Sequence, residues 1–243
     1  MSTLKAYNIE PATGTTLTLG TTGDSVTVSS DSLKLDTFKD AGGNTLFHSD
    51  GAGNVTNVNG ALKAGGPTLL RTVDVITATS QIVFSNDLDN SYDVYMIVFT
   101  DISPATNSAS FRFYTKDSSG AGTPNQTTTF FCAHHNESDA SSLHYDDNGK
   151  DIANGGTSYL TEEQENNADS SSAGIFYIYQ PWNTTYVKHF QSRFSNYNYN
   201  ARSQDAYTSG YINDAGQSLT YLSFSFSSGN IRAGACAKLY GIG

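Results

Sequence analysis

Charge is scarce in this chain. Only 15% of its 243 residues are Asp, Glu, Lys or Arg, against roughly 25% in an ordinary soluble domain. The charge present leans one way, 23 acidic against 13 basic side chains for a net −10. A protein that neutralises nucleic-acid phosphates needs the opposite balance, so no nucleic-acid partner is expected. No apolar run approaches the 18 or so residues of a membrane-spanning helix, and the opening residues, Met1 to Tyr7, lack the apolar core of a secretion signal. No membrane insertion is expected either. Cysteine is nearly absent: Cys132 and Cys236 are the only two. Two cysteines make neither a disulfide framework nor a structural zinc site. Each sits in an apolar or aromatic stretch and reads as a buried thiol, with a long-range disulfide as the alternative. No heptad repeat offers a coiled coil.

Ser, Thr, Asn and Gly take the place of the missing charge, together with 15 Tyr and 13 Phe. That composition differs from a disordered chain, which combines low hydrophobicity with high net charge. Its patterning is of period two. Residues 1–66 hold short alternating runs, such as Thr-Leu-Thr-Leu at 16–19, Ser-Val-Thr-Val at 25–28, Ser-Leu-Lys-Leu at 32–35 and Thr-Leu-Phe at 45–47. Gly, Asn and Asp punctuate them, the signature of strands and hairpins. Hairpins this short bury little by themselves, so this segment is expected to be a β-stalk that associates with copies of itself, with an ordinary meander packed on the second domain as the alternative. Gly65-Gly66-Pro67 marks the joint.

Residues 67–243 carry longer, more apolar runs, read as about ten strands between Leu69 and Ile242. Ser110-Phe-Arg-Phe-Tyr and Leu222-Ser-Phe-Ser-Phe-Ser alternate as half-buried antiparallel strands do. The fold class expected is all-β: an N-terminal hairpin or stalk segment intertwined with copies of itself, then a jelly-roll-like β-sandwich. One helical turn is expected within Tyr159-Leu-Thr-Glu-Glu-Gln-Glu-Asn.

Several stretches resemble tail-fibre and other virion proteins of marine bacteriophages. They are Ser2-Thr-Leu-Lys-Ala-Tyr-Asn-Ile-Glu-Pro with Gly14-Thr-Thr-Leu-Thr-Leu-Gly, then Asp40-Ala-Gly-Gly-Asn-Thr-Leu-Phe-His-Ser-Asp-Gly, which is similar to shaft repeats. Leu88-Asp-Asn-Ser-Tyr-Asp-Val-Tyr-Met-Ile-Val-Phe resembles the opening of the globular β-domain such proteins carry, and Thr184-Thr-Tyr-Val-Lys-His-Phe and Lys238-Leu-Tyr-Gly-Ile also fit. The resemblance implies a non-enzymatic virion structural protein, a short tail fibre contributing to host attachment. A capsid decoration or head fibre is the alternative, and a polysaccharide depolymerase tailspike the third reading. It implies a homotrimer bound to other virion proteins through its N-terminal segment, located on the tail or capsid surface and assembled in the host cytoplasm.

Three groups of residues bear on binding. The aromatic-polar stretch from Tyr177 to Arg202 has the Tyr, Asn and Ser composition of paratope loops, where rigid aromatic area sits beside adaptable hydrogen bonds. Trp182, Asn183, Tyr186, Asn196, Tyr197, Asn198 and Tyr199 are therefore the receptor-contact candidates, with Trp182, Tyr197 and Tyr199 in expected loops, and the receptor a host surface glycan or protein. From Glu137 to Asp169 there are nine carboxylates and one cation, Lys150. This acidic stretch reads as a solvated loop. Within it Asp146, Asp147 and Asp151 surround a turning Gly and are the residues that would hold calcium, although the spacing is not that of an EF-hand. No cofactor is otherwise expected. Cys132-Ala-His-His with His144 is not read as a metal centre, because adjacent His134 and His135 point to opposite faces of a strand.

Overall fold

A computed structural model describes residues 37–40, 42–49, 51–52, 55–56, 66–120, 122–145, 149–198 and 201–243. The chain divides into two units, Met1–Leu62 and Lys63–Gly243. Among the described residues there is no helix, and every strand pair is antiparallel. The runs expected at 16–19, 25–28 and 32–35 lie outside the described residues.

In the first unit β1 (Thr37–Lys39), β2 (Thr45–Ser49) and β3 (Val55–Thr56) form a three-stranded sheet. The β1–β2 turn follows from its residues. Asp40 Oδ1 accepts from the backbone N–H of Gly42 at 2.9 Å and of Asn44 at 2.8 Å, and Gly43 takes a left-handed φ of 84° that favours glycine. Phe38 and Phe47 stack at 5.1 Å across the hairpin. No described side chain of β1 or β2 is fully buried.

The larger unit holds β4 (Thr68–Asp74), β5 (Ile82–Ser85), β6 (Val94–Ile102), β7 (Ala109–Asp117), β8 (Gln126–Asn136), β9 (Ser141–Tyr145), β10 (Ser158–Gln164), β11 (Ser172–Tyr179), β12 (Lys188–Asn198), β13 (Arg202–Ile212), β14 (Leu219–Phe226) and β15 (Cys236–Ile242). Hydrogen bonding links all twelve into one sheet that folds over into two layers, β4-β15-β6-β11-β12-β13-β8-β9 and β10-β7-β14-β5. A single pair, Gln164 with Asn198, joins the layers between β10 and β12. The arrangement is a β-sandwich, and phenylalanine fills it. Phe113 of the smaller layer meets Phe176 and Phe190 of the larger at 4.7 Å each, and Phe224 meets Phe99 at 4.8 Å. The alternation seen in the sequence supplies this core: on β12 every even-numbered residue from Lys188 to Asn198 is buried and every odd one exposed.

Two expectations are corrected. Residues 159–164 form β10, not a helical turn. Their pattern hides the strand because a register shift between Tyr159 and Glu163 turns Leu160, Thr161 and Glu162 inward in succession, which breaks the period of two. Residues 137–169 are not one solvated loop either. They include β9 and β10, and both Glu162 and Lys150 are buried.

Gly174 shows how tightly the layers are built. A Cβ there would meet Phe194 Cδ1 at 2.4 Å and the Arg193 carbonyl at 2.6 Å. Gly174→Ala is expected to cost about 1–3 kcal/mol, read as a lower urea midpoint with unchanged slope. Gly122→Ala, with nothing within 4 Å of the added carbon, is expected to stay within about 0.5 kcal/mol.

Candidate functional site

Strands lying side by side place the outward side chains in lateral rows about 5 Å apart. One row crosses five strands of the larger layer. Tyr145 on β9 is opposite Phe131 on β8, Phe131 opposite Tyr207 on β13, Tyr207 opposite Arg193 on β12, and Arg193 opposite Ile175 on β11. Phe131 and Tyr207 stack at 4.8 Å, 8° from parallel. The Arg193 guanidinium carbon lies 4.9 Å from the centre of the Tyr207 ring. Arg193 Nε and Nη2 donate to Asp205 Oδ1 and Oδ2 at 3.0 and 2.7 Å. This two-point pair raises the Arg193 pKa above its ordinary value. In so exposed a place it contributes little to stability. Its effect is positional, because it lays the planar guanidinium along the row.

The row spans about 20 Å over four strand intervals. Phe131 is 41% exposed and Tyr145 61%. A hollow of ≈ 910 Å³ runs along the part of it from Phe131 to Ile175, with Tyr177, Gln191, Ser195 and Ser209 among its walls. Apolar ring edges beside hydroxyl and amide groups suit ligands that present one apolar and one hydrogen-bonding side.

The residues singled out in the sequence are not gathered there. Trp182, Asn183 and Tyr186 sit in the loop between β11 and β12. Trp182 is half-buried and its Nε1 donates to the Tyr92 carbonyl at 3.1 Å, so it anchors the loop. Asn183 Oδ1 accepts from the N–H of Thr185 and Tyr186 at 2.7 and 3.0 Å and shapes the same turn. Tyr186 is 69% exposed and borders a hollow of ≈ 520 Å³ with His189 and Tyr179. Tyr197 is on β12, not in a loop, and faces outward beside Ser195 and Ser203 at a hollow of ≈ 610 Å³. Asn196 and Asn198 flank it in sequence but are buried on the opposite face. Strand rise alone places the two ends of β12 about 30 Å apart, so Trp182 and Tyr186 do not share a contact surface with Tyr197. Tyr199, Asp146 and Asp147 lie outside the described residues, and Asp151 is half-buried. The row itself was legible only as odd-numbered positions of alternating strands. Strand pairing, which the sequence does not display, lines them up.

A second constellation lies inside the sandwich. Cys132 and His134 are two apart on β8 and point inward together, while His135 points out. Glu162 reaches them from β10 in the other layer. His134 Nε2 lies 3.1 Å from Glu162 Oε2 and 3.4 Å from Cys132 Sγ, and the Cys132 thiol donates to Glu162 Oε1 at 3.2 Å. On the other side of the imidazole, His134 Nδ1 is 3.1 Å from His144 Nε2. Burial pushes the His134 pKa down, against the pull of the Glu162 carboxylate, and so favours the neutral ring. Neither cysteine is bridged; Cys132 is buried and Cys236 half-buried.

No protein family, curated protein or solved structure matches this chain.

Proposed function

We propose that this chain is a bacteriophage virion structural protein, a short tail-fibre subunit that contributes to host attachment as a homotrimer. The observation that carries the attachment role is the outward row Tyr145–Phe131–Tyr207–Arg193–Ile175. A fully hydrated scaffold has no need to stack Phe131 on Tyr207 in the open, and exposed aromatic area of this kind marks interaction surfaces. The occupant that fits is a neutral glycan of the host surface. Its apolar C–H face lies against the ring edges of Phe131 and Tyr207, whose faces cover one another, and its hydroxyls meet Gln191, Ser195 and Ser209. The net charge of −10 disfavours strongly anionic polymers. Trimerisation through residues 1–66, which also join the chain to other virion proteins, is supported by the first unit's strands. None of the described side chains of β1 and β2 is fully buried, and so small a sheet is stable only when packed on something else. Weak single sites then add through three linked copies.

The test is adsorption of particles carrying Phe131→Ser with Tyr207→Ser, with the amount of protein per particle measured alongside. Adsorption is expected to fall at least about tenfold, from the loss of two aromatic contacts, while incorporation stays unchanged. Unchanged adsorption by fully loaded particles would assign the protein to a head fibre or capsid decoration. Loss of adsorption that only protease treatment of the host reproduces would name a protein receptor.

A further inference from the structure

We propose that Cys132, His134 and Glu162 bind one zinc-class transition-metal ion inside the sandwich, with the Gln204 amide closing its fourth side. Cys132 Sγ lies 3.4 Å from His134 Nε2 and 3.2 Å from Glu162 Oε1, His134 Nε2 lies 3.1 Å from Glu162 Oε2, and one ligand atom from each of the three residues lies within 4.8 Å of the others. Tetrahedral zinc, with bonds of about 2.0–2.3 Å, has donor–donor edges of about 3.3–3.7 Å. The Sγ–Nε2 separation falls within that range, and the two contacts to the carboxylate, one through each oxygen, fall a tenth or two of an ångström below it. The donor set is thiolate, imidazole and carboxylate, which selects zinc or cobalt over calcium or magnesium, whose sites are built from oxygen alone.

Three further features point to a cation. Charge comes first: the Glu162 carboxylate carries −1 inside the sandwich, where uncompensated charge is costly, and a divalent ion that displaces the Cys132 proton meets a total of −2 from thiolate and carboxylate. The groups that reach the buried Glu162 are a thiol, an imidazole and the Asn198 amide. Second, His134 Nε2 is crowded by Cys132, Glu162 and the Gln204 amide, the last at 2.7 Å. A single ring nitrogen offers one proton or one lone pair, so it does not satisfy all three. A metal replaces those competing contacts with one bond to each donor. Third, Gln204 is 1% exposed and its Oε1 has no protein partner. Its side chain stands opposite His134 in the β8–β13 register, and turning the amide presents that oxygen to the His134 side of the cluster. His144 is the positioning residue. It holds the second ring nitrogen of His134, as partners of metal-bound histidines do.

The fold makes the site out of three separated segments. Cys132 and His134 share a strand face, Gln204 is the cross-strand neighbour of His134, and Glu162 comes from the opposite layer. An ion there would tie the two layers together close to where β10 and β12 make their single pair. Binding deprotonates the Cys132 thiol, and that proton leaves to solvent.

The full-length chain, without a histidine tag and expressed in cobalt-supplemented medium, tests this. Wild type is expected to purify with about one cobalt per chain, with the visible absorption of tetrahedral cobalt and a near-ultraviolet thiolate-to-cobalt band. Cys132→Ser should lose that band and Cys236→Ser should keep it. His144→Ala should retain the band with about 10- to 100-fold weaker binding. Folded wild type without a thiolate-to-cobalt band overturns the proposal by itself, even if Cys132→Ser fails to fold. A band that disappears in Cys236→Ser and persists in Cys132→Ser overturns it as well.

Discussion

Phe224→Ala is expected to destabilise the larger unit by about 3–5 kcal/mol, the range for deleting a fully buried aromatic ring. Phe224 is inaccessible to solvent and lies at the meeting point of both layers. Its ring centre is 4.8 Å from Phe99, 5.4 Å from Phe176, 6.0 Å from Phe113, 6.1 Å from Phe111 and 6.4 Å from Phe84. Removing it leaves five rings facing a void, and a sandwich held by backbone ladders on both sides collapses little to fill it. The loss therefore includes the cavity as well as the transfer of the ring. Denaturant unfolding should show a lower midpoint at constant slope. Phe131→Ala, whose ring is partly exposed, should shift the midpoint far less. Equal shifts for the two variants would mean that Phe224 is not central to the core.

Lys188→Met should be costly for a different reason. Lys188 is 1% exposed, and its ammonium donates to the backbone carbonyls of Asp214 and Gln217. Those carbonyls belong to the loop between β13 and β14. Methionine replaces the stem but orphans both acceptors, at about 1–3 kcal/mol each, partly offset because a buried cation is removed. The pH dependence carries the sign. Burial pushes the Lys188 pKa below its ordinary value, while Asp214 and Asp117 pull it up. Between the lowered native pKa and about 10.5 the unfolded chain binds more protons than the native one. The contribution of Lys188 to stability is therefore smallest at lower pH and grows as pH rises through that window. Tyrosine ionisation acts in the same range, so the wild-type minus variant difference is the quantity to measure. It should change with pH in that direction, and a difference constant from pH 8 to pH 10.5 would show that Lys188 keeps its ordinary affinity for its proton.

Much of the larger unit was legible because one face of each long strand is apolar and the other is not. Lys188–Asn198 declares its buried face in Phe190 and Phe194, and Leu219–Phe226 matches the expected strand at both ends. The strand at 158–164 was not legible, since glutamates suit a helix and the bulge at Leu160–Glu162 removes the alternation that would have contradicted it. Asn196 and Asn198 show the opposite limit. Their composition suggested a loop, yet the period of their strand turns them inward beside the exposed Tyr197. Polar type alone does not say which face a residue takes when the core itself contains Ser, Gln and Asn.

The sequence by itself therefore determined the all-β class, the shared face of Phe111 with Phe113 and of Phe224 with Phe226, and the opposed directions of His134 and His135, since each follows from local alternation along one strand. The tertiary structure decided everything that needs two strands to be neighbours. Tyr145, Phe131, Tyr207, Arg193 and Ile175 are spread over some seventy residues, and only the order β9-β8-β13-β12-β11 brings them into one row. Glu162 reaches Cys132 and His134 only because the layer containing β10 packs over β8 and β13. Strand order and layer packing arise from contacts distant in sequence, and no period within a single segment encodes them.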